Sequence, residues 1–80
     1  MSWQVEWMPQ GIVSLQRIPW QDGERIDAAV QRFAATAEGD AYRLPGDDTT
    51  TVRLAVGSYR VRATFDPWDG TMRVWWVYSV

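Results

Sequence analysis

Apolar and polar residues alternate in the second half of the chain in a way that predicts three β-strands. The alternation runs over residues 51–56, 59–65 and 71–79, and a period of two is typical of strands that bury one face. Gly57-Ser58 suits a two-residue hairpin turn, and a Pro-Trp-Asp-Gly sequence marks a second turn. We therefore predict an antiparallel three-stranded meander over residues 49–80.

The first half opens with a strand and continues into a short helix. Residues 2–8 alternate between tryptophan or valine and polar side chains, which predicts a strand. Pro9 ends it, because proline cannot donate to a β-ladder. Apolar residues at a spacing of three then predict a short helix over residues 9–18.

A second helix is predicted over residues 23–38, where apolar residues follow one helical face. Asp22 is the expected N-cap, and Gly39 is the expected residue after the C-terminus. Trp20 is expected to fill the corner between the two helices. Residues 39–48 are predicted to be a polar connection.

The two turns set the register of the meander. With Gly57-Ser58 as the loop, Arg53 faces Arg62 across the first hairpin. In the second hairpin, pairing Phe65 with Met72 keeps Arg73 out of the core, whereas a one-residue slip would bury it. This register places Val74, Trp76 and Tyr78 in the core and Arg73, Trp75 and Val77 on the opposite face.

The face opposite the core carries a cluster of arginines, which we call the arginine face: Arg53, Arg60, Arg62 and Arg73. Like charges directly across a ladder repel each other, so the cluster indicates a polyanion or an acidic protein segment as its ligand. The alternative is a solvated face whose arginines lie over Trp75 or pair with carboxylates from residues 39–48.

Composition narrows the chemistry. The chain has no cysteine and no histidine, which excludes zinc sites built on thiolate or imidazole and Ser-His-Asp or Cys-His catalysis. We expect no metal and no other cofactor. No apolar run reaches the ~20 residues that span a bilayer, and the N-terminus lacks a signal-peptide pattern. We therefore expect a cytoplasmic protein without a membrane partner.

Net charge modifies the expectation for nucleic acid. The net charge is −2, which argues against general affinity for nucleic acid. Residues 49–80, however, hold four arginines against only Asp66 and Asp69. One local basic face therefore remains possible.

The element order predicts one small α+β domain over residues 1–80: β-α-α-β-β-β, an antiparallel sheet with two helices packed on one face. This order resembles the RelE/ParE family, the toxins of bacterial type II toxin–antitoxin systems. Residues 52–61, Val-Arg-Leu-Ala-Val-Gly-Ser-Tyr-Arg-Val, resemble the central hairpin of that family. Residues 3–10 and 69–74 resemble its opening strand and its last turn and strand.

The resemblance implies a growth inhibitor that a cognate antitoxin neutralises. In the RelE branch the toxin cuts mRNA in the ribosomal A site, and in the ParE branch it poisons DNA gyrase. On this resemblance Arg60 and Arg53 match basic residues of the RelE site, with transition-state charge stabilisation as their catalytic role. The implied nucleic-acid contacts are Arg53, Arg60, Arg62 and Arg73, with Trp75 as a platform for base stacking.

Two features of the sequence argue against an endoribonuclease and leave the enzymatic interpretation undecided. RelE-type cleavers carry further basic residues and a tyrosine beyond the last strand, whereas this sequence stops at Val80. RNA cleavage also needs a base and an acid, and arginine supplies neither because its pKa is too high. Asp47 and Asp48 are candidate bases, although carboxylates in turns are usually caps or solvated charges.

The alternatives to an endoribonuclease are a non-enzymatic, ParE-like gyrase inhibitor and a degenerate toxin-like binding module. Trp68, at a predicted loop tip, is a candidate contact for the antitoxin.

Overall fold

The computed structural model describes residues 2–80, so Met1 of the predicted domain lies outside the described residues. Five strands form a single sheet in the order β1-β5-β4-β3-β2. The predicted α+β class is confirmed, with four differences in detail that are described below. The elements are β1 (Gln4–Trp7), α1 (Pro9–Gln16), α2 (Trp20–Thr36), β2 (Asp40–Tyr42), β3 (Thr51–Val56), β4 (Tyr59–Asp66) and β5 (Thr71–Ser79).

The sheet is mixed rather than antiparallel throughout. β1 pairs with β5 in parallel, with Val5 opposite Met72 and Glu6 opposite Arg73. Alternation reveals a strand but not its direction, so this pairing was not predictable from the pattern. Its consequence is that Glu6 reaches the arginine face beside Arg73.

A short strand, β2, lies inside the region that was predicted to be an irregular connection. It pairs antiparallel with β3, which places Tyr42 opposite Arg53. Three residues are too few to show a period of two. The strand extends the arginine face by one column at the edge of the sheet.

The second helix begins and ends earlier than predicted. It starts at Trp20, with Pro19 at the N-cap position, so Asp22 is not the cap. Asp22 lies in the first turn, where the helix dipole favours a carboxylate, and accepts a hydrogen bond from the Tyr59 hydroxyl at 2.8 Å. The helix ends at Thr36, and Ala37, in a left-handed conformation, is its C-cap, so Gly39 is not the residue that directly follows the helix. Neither α1 nor α2 is long and apolar enough to cross a membrane.

Both helices cover the same face of the sheet and form the core with it. Ile26, Val30 and Ala34 of α2 are buried against the sheet. α1 lies so close to β5 that a Cβ atom at Gly11 would meet the carbonyl oxygen of Val74 at 2.6 Å. The sheet residues in this hydrophobic core are Val52, Leu54, Val61, Ala63, Met72, Val74 and Val77.

A β-bulge in β5 changes the register that the sequence predicted. Phe65 pairs with Met72 as expected, and Ala63 faces Val74, but Arg62 then faces Trp76. Trp75 is therefore the extra residue of the bulge.

The bulge reverses the faces of the residues that follow it. Val77 is buried opposite Val61, whereas Trp76 and Tyr78 join the arginine face. The predicted core positions of Trp76 and Tyr78, and the predicted outer position of Val77, were wrong.

Candidate nucleic-acid interface

The arginine face has no helix over it, and strand pairing arranges its side chains in rows. One row crosses four strands as Tyr42, Arg53, Arg62 and Trp76. The next row, nearer the Gly57-Ser58 turn, contains Arg60 opposite Tyr78. We call these two rows the hairpin end of the face. The row that contains Arg73 forms the opposite end, beside the turn at residues 66–70.

Arg53 is held by a carboxylate from the β2–β3 connection. Its Nε and Nη2 donate to the two carboxylate oxygens of Asp47 at 2.9 and 3.2 Å. The side chains are only 15% and 10% exposed. Hydrogen bonds from Arg53 and from the Leu44 backbone N–H lower the pKa of Asp47 to about 2. The third donor, Nη1, points to the hydroxyl oxygen of Tyr78 at 3.2 Å.

Arg60 and Arg62 have a different environment. Arg60 donates only to the backbone carbonyls of Gly57 and Tyr59, at 2.9 and 2.8 Å. Arg62 lies over the Trp76 ring, 5.3 Å from its centroid, which is cation–π geometry. Within residues 2–80 neither guanidinium forms an ion pair with a carboxylate. The hairpin end therefore presents two positive charges without an acidic partner.

Arg73 is surrounded by acids. Its guanidinium contacts Asp69 at 2.7 Å, Asp66 at 3.0 Å and Glu6 at 3.7 Å. The hydrogen bond to Asp69 is the main cause of the raised pKa of Arg73, followed by the hydrogen bond to Asp66. The positive charge expected at this position is thus neutralised within the fold.

Aromatic side chains lie between the arginines of the hairpin end. Trp76 and Tyr78 are 39% and 37% exposed, and Tyr42 faces Arg53 from β2. Burial and the adjacent Tyr78 phenol raise the pKa of Tyr42, so it stays protonated at neutral pH. Trp75, the predicted stacking platform, is half-buried and donates its indole N–H to Thr64 Oγ1 at 2.8 Å. Trp76 is the more exposed of the two rings.

Sequence reasoning therefore missed three members of this face: Tyr42, Trp76 and Tyr78. One signal was present for the last two. In Val74-Trp75-Trp76-Val77 the valines are three residues apart, which breaks a period of two and is typical of a bulge. For Tyr42 no comparable pattern exists.

The connection between β2 and β3 is tied down by short-range hydrogen bonds. Arg43 donates to the carbonyl oxygens of Thr51 and Thr49 at 2.7 and 3.1 Å. Asp48 accepts hydrogen bonds from the hydroxyls of Thr50 and Thr51, which lower its pKa. Asp48 therefore caps the turn, which is the usual role of a carboxylate in a turn, and the alternative to its being a catalytic base.

Two tryptophans lie away from the arginine face. Trp68, at the tip of the β4–β5 turn, is 97% exposed, as predicted for a loop-tip residue. Trp20 is 68% exposed in the first turn of α2, so it does not fill the corner between the helices. Both rings are available for contact with another molecule.

The chemistry of the hairpin end is that of anion binding and charge neutralisation. Two guanidiniums and two phenols supply hydrogen-bond donors at neutral pH. Asp47, with its pKa of about 2, is a weak base at neutral pH. No group of three acidic side chains in the described part of the chain is placed to hold a metal ion.

Comparison with known proteins addresses the fold. No protein-family model matches the chain, and no curated protein matches it by sequence. A chain in the archaeal RelE–RelB complex from Pyrococcus horikoshii OT3 superposes with a TM-score of 0.78 at 19% identity, covering 99% of this chain and 96% of that one. The chain has a RelE-type fold.

Two further structures agree with this assignment. The toxin–antitoxin complex RelBE2 from Mycobacterium tuberculosis gives a TM-score of 0.70 at 21% identity, with full coverage of both chains. The RelB–RelE antitoxin–toxin complex from Methanococcus jannaschii gives 0.74 at 16% identity, covering 91% of this chain and 87% of that one. All three similar structures are of toxins with antitoxins. In this chain the arginine face lies on the side of the sheet that the helices leave uncovered.

Proposed function

We propose that this protein is the toxin of a type II toxin–antitoxin pair and that it inhibits growth by binding RNA at the hairpin end of its arginine face. The observation that carries the proposal is the presence of Arg60 and Arg62, without carboxylate partners in residues 2–80, beside an exposed Trp76 on a RelE-type fold. Guanidiniums bind phosphates, and aromatic rings stack on bases. Such a face suits single-stranded RNA.

The reaction we propose is cleavage of mRNA on the ribosome, in the cytoplasm. Attack of a 2′-hydroxyl oxygen on the adjacent phosphorus forms one P–O bond and breaks the bond to the 5′-oxygen. Arg60 and Arg62 would neutralise the phosphorane, and a phenol such as Tyr42 is a proton donor for the leaving oxygen. The base for the 2′ proton would come from the ribosome, since Asp47 is too weakly basic at neutral pH.

A non-enzymatic, ParE-like inhibitor of DNA gyrase is the second candidate. The observation that favours it is the ion pair of Asp47 with Arg53, which leaves the hairpin end without a carboxylate of ordinary basicity. A protein that only binds through this face needs no base.

The partner we propose is a cognate antitoxin with an acidic segment. Such a segment would neutralise Arg60 and Arg62, and Trp68 offers an exposed apolar contact. If a short reading frame beside this gene encodes the antitoxin, its co-expression should restore growth and its product should co-purify with this chain.

The test is controlled expression in bacteria of the wild type, Arg60→Ala and Arg25→Ala. Arg25 is an exposed arginine on α2 and serves as the matched control. We expect growth arrest and mRNA cuts within codons for the wild type and Arg25→Ala, and loss of both for Arg60→Ala. A DNA-damage response with intact mRNA would support the gyrase candidate instead. Normal growth with the wild type would rule out both.

A further inference from the structure

The Asp47 carboxylate occupies a place on the arginine face that suits a phosphate. Nε and Nη2 of Arg53 donate side by side to its two oxygens, the same two-pronged geometry with which a guanidinium binds a phosphate. Arg62, opposite Arg53 in the ladder, also contributes to the lowered pKa of Asp47. The carboxylate therefore sits in the field of two guanidiniums.

The segment that delivers this carboxylate closes on itself. The Asp47 N–H donates to the Leu44 carbonyl at 3.0 Å, and the Leu44 N–H donates back to Asp47 Oδ2 at 2.9 Å. Gly46, with φ of 92°, makes the turn between them. The bond from the Asp47 N–H to the Leu44 carbonyl does not involve the carboxylate, and β2 pairs with β3 through other residues. The carboxylate can therefore leave Arg53, with loss of its bond from the Leu44 N–H, without dismantling a strand.

Repulsion between Arg53 and Arg62 explains why a carboxylate is needed in the free protein. Two cations directly opposite each other in an antiparallel ladder destabilise the pair of strands. Asp47 offsets this repulsion, and a phosphodiester carries the same single charge.

We propose that Arg53 and Arg62 form a phosphate subsite that Asp47 fills in the free protein and vacates when an RNA phosphate takes its place. This inference rests on the proposed RNA-binding function. Occupation of the subsite by Asp47 lowers the affinity of the free protein for RNA, because each bound RNA must displace the Asp47 carboxylate. Arg53 then contacts the ligand only after displacement. Arg60 and Arg62 form no ion pair with Asp47 and are available from the start, and Arg62 joins Arg53 on the phosphate once Asp47 has left.

The experiment compares Asp47→Asn with Asp48→Asn. The first substitution removes the charge and keeps an oxygen acceptor for the Leu44 N–H. The second is a matched control, because Asp48 bonds to Thr50 and Thr51 and not to an arginine. Binding of a fluorescein-labelled decauridylate is measured by fluorescence anisotropy over a range of NaCl concentrations.

We expect Asp47→Asn to bind about 10-fold more tightly than the wild type, with a salt slope steeper by about 0.7, which corresponds to one additional phosphate contact on a single strand. Asp48→Asn should bind like the wild type. In an Arg53→Gln background the gain from Asp47→Asn should disappear. A gain that persists without Arg53 would be a general charge effect and would overturn the proposal.

A measurement on the unaltered protein covers the case in which Asp47→Asn fails to fold. The Nε–H resonance of Arg53 in nitrogen-15-labelled wild type should shift at saturation with decauridylate, because its acceptor changes from carboxylate to phosphate. An unchanged resonance contradicts the inference. If the wild type binds RNA and Asp47→Asn binds equally or less tightly, the inference fails and the proposed function stands. If no variant binds, both fail.

Discussion

At the hairpin end of the arginine face, Arg60 and Arg62 have no carboxylate partner in residues 2–80, whereas at the opposite end Arg73 contacts three. The sequence makes these arginines look equivalent, since all of them alternate outward from the same meander. Their neighbours differ: the turn at residues 66–70 supplies two acids and β1 supplies a third. An arginine pattern therefore marks a face, while the turns and the parallel strand decide where on that face positive charge remains without an acidic partner.

The largest expected effect comes from removing charge at the hairpin end. We expect Arg60→Gln combined with Arg62→Gln to weaken binding of decauridylate at least ~10-fold and to flatten the salt slope by about 1.4, which corresponds to two lost phosphate contacts. Arg73→Gln removes one charge at the opposite end and should change affinity by less than about twofold, because this charge is already neutralised by Asp66 and Asp69. Anisotropy titrations at several NaCl concentrations measure both. Equal losses of affinity at the two ends would contradict the inferred difference in available charge between them.

A smaller effect is expected from the tryptophans. Trp76→Ala removes the ring under Arg62 and a stacking surface that contributes about 1–3 kcal/mol per base, so at the lower end of that range we expect roughly a fivefold loss of affinity for decauridylate. Trp68→Ala removes a more exposed tryptophan beside the acidic turn and should leave affinity unchanged. The same anisotropy assay tests both. A loss with Trp68→Ala would move the interface to the opposite end.

The smallest effect concerns acid stability. The pKa of Asp47 is about 2 in the folded protein, below its ordinary value of 3.8, so the unfolded chain binds more protons in this range. The ion pair with Arg53 therefore contributes stability that is complete above pH ~4 and is lost as the pH falls through about 2. Asp47→Asn should flatten the dependence of the free energy of unfolding on pH between these values.

Asp69→Asn tests the same property at the opposite end. Hydrogen bonds from Thr71 and Arg73 lower the pKa of Asp69, but this side chain is 48% exposed, against 10% for Asp47. We therefore expect Asp69→Asn to flatten the dependence of the free energy of unfolding on pH less than Asp47→Asn does. Urea unfolding followed by circular dichroism at several pH values measures it, with the exposed Asp40→Asn as control. A stronger effect of Asp69→Asn than of Asp47→Asn would contradict the comparison.

The pairing of β3 with β4 could be predicted from the sequence, because a two-residue turn and strict alternation leave one register. The same was true of Phe65 opposite Met72. The prediction failed three residues later, at the bulge. Alternation assumes that each residue has one partner, and the extra Trp75 violates this assumption.

The candidate site was predictable in its arginines and not in its partners. Asp47 was identified only as an acid near the sheet, since no pattern tells which carboxylate of a connection reaches which strand. Tyr42 belongs to a strand too short to detect, and Tyr78 was assigned to the wrong face by the missed bulge. Contacts between distant segments decide the positions of Asp47 and Tyr42, and local periodicity carries no information about these two; for Tyr78 the spacing of Val74 and Val77 was the one local signal.

The strand order has a consequence for how the protein is made. β5 is the last strand along the chain, yet it lies between β1 and β4 and contributes Met72, Val74 and Val77 to the core. A nascent chain that has exposed only residues 1–66 has a gap where β5 belongs, with the edges of β1 and β4 unpaired. Neither the core nor the row of Arg62 and Trp76 exists until residues 71–79 emerge from the ribosome. Translation must therefore pass residue 79 before either is assembled.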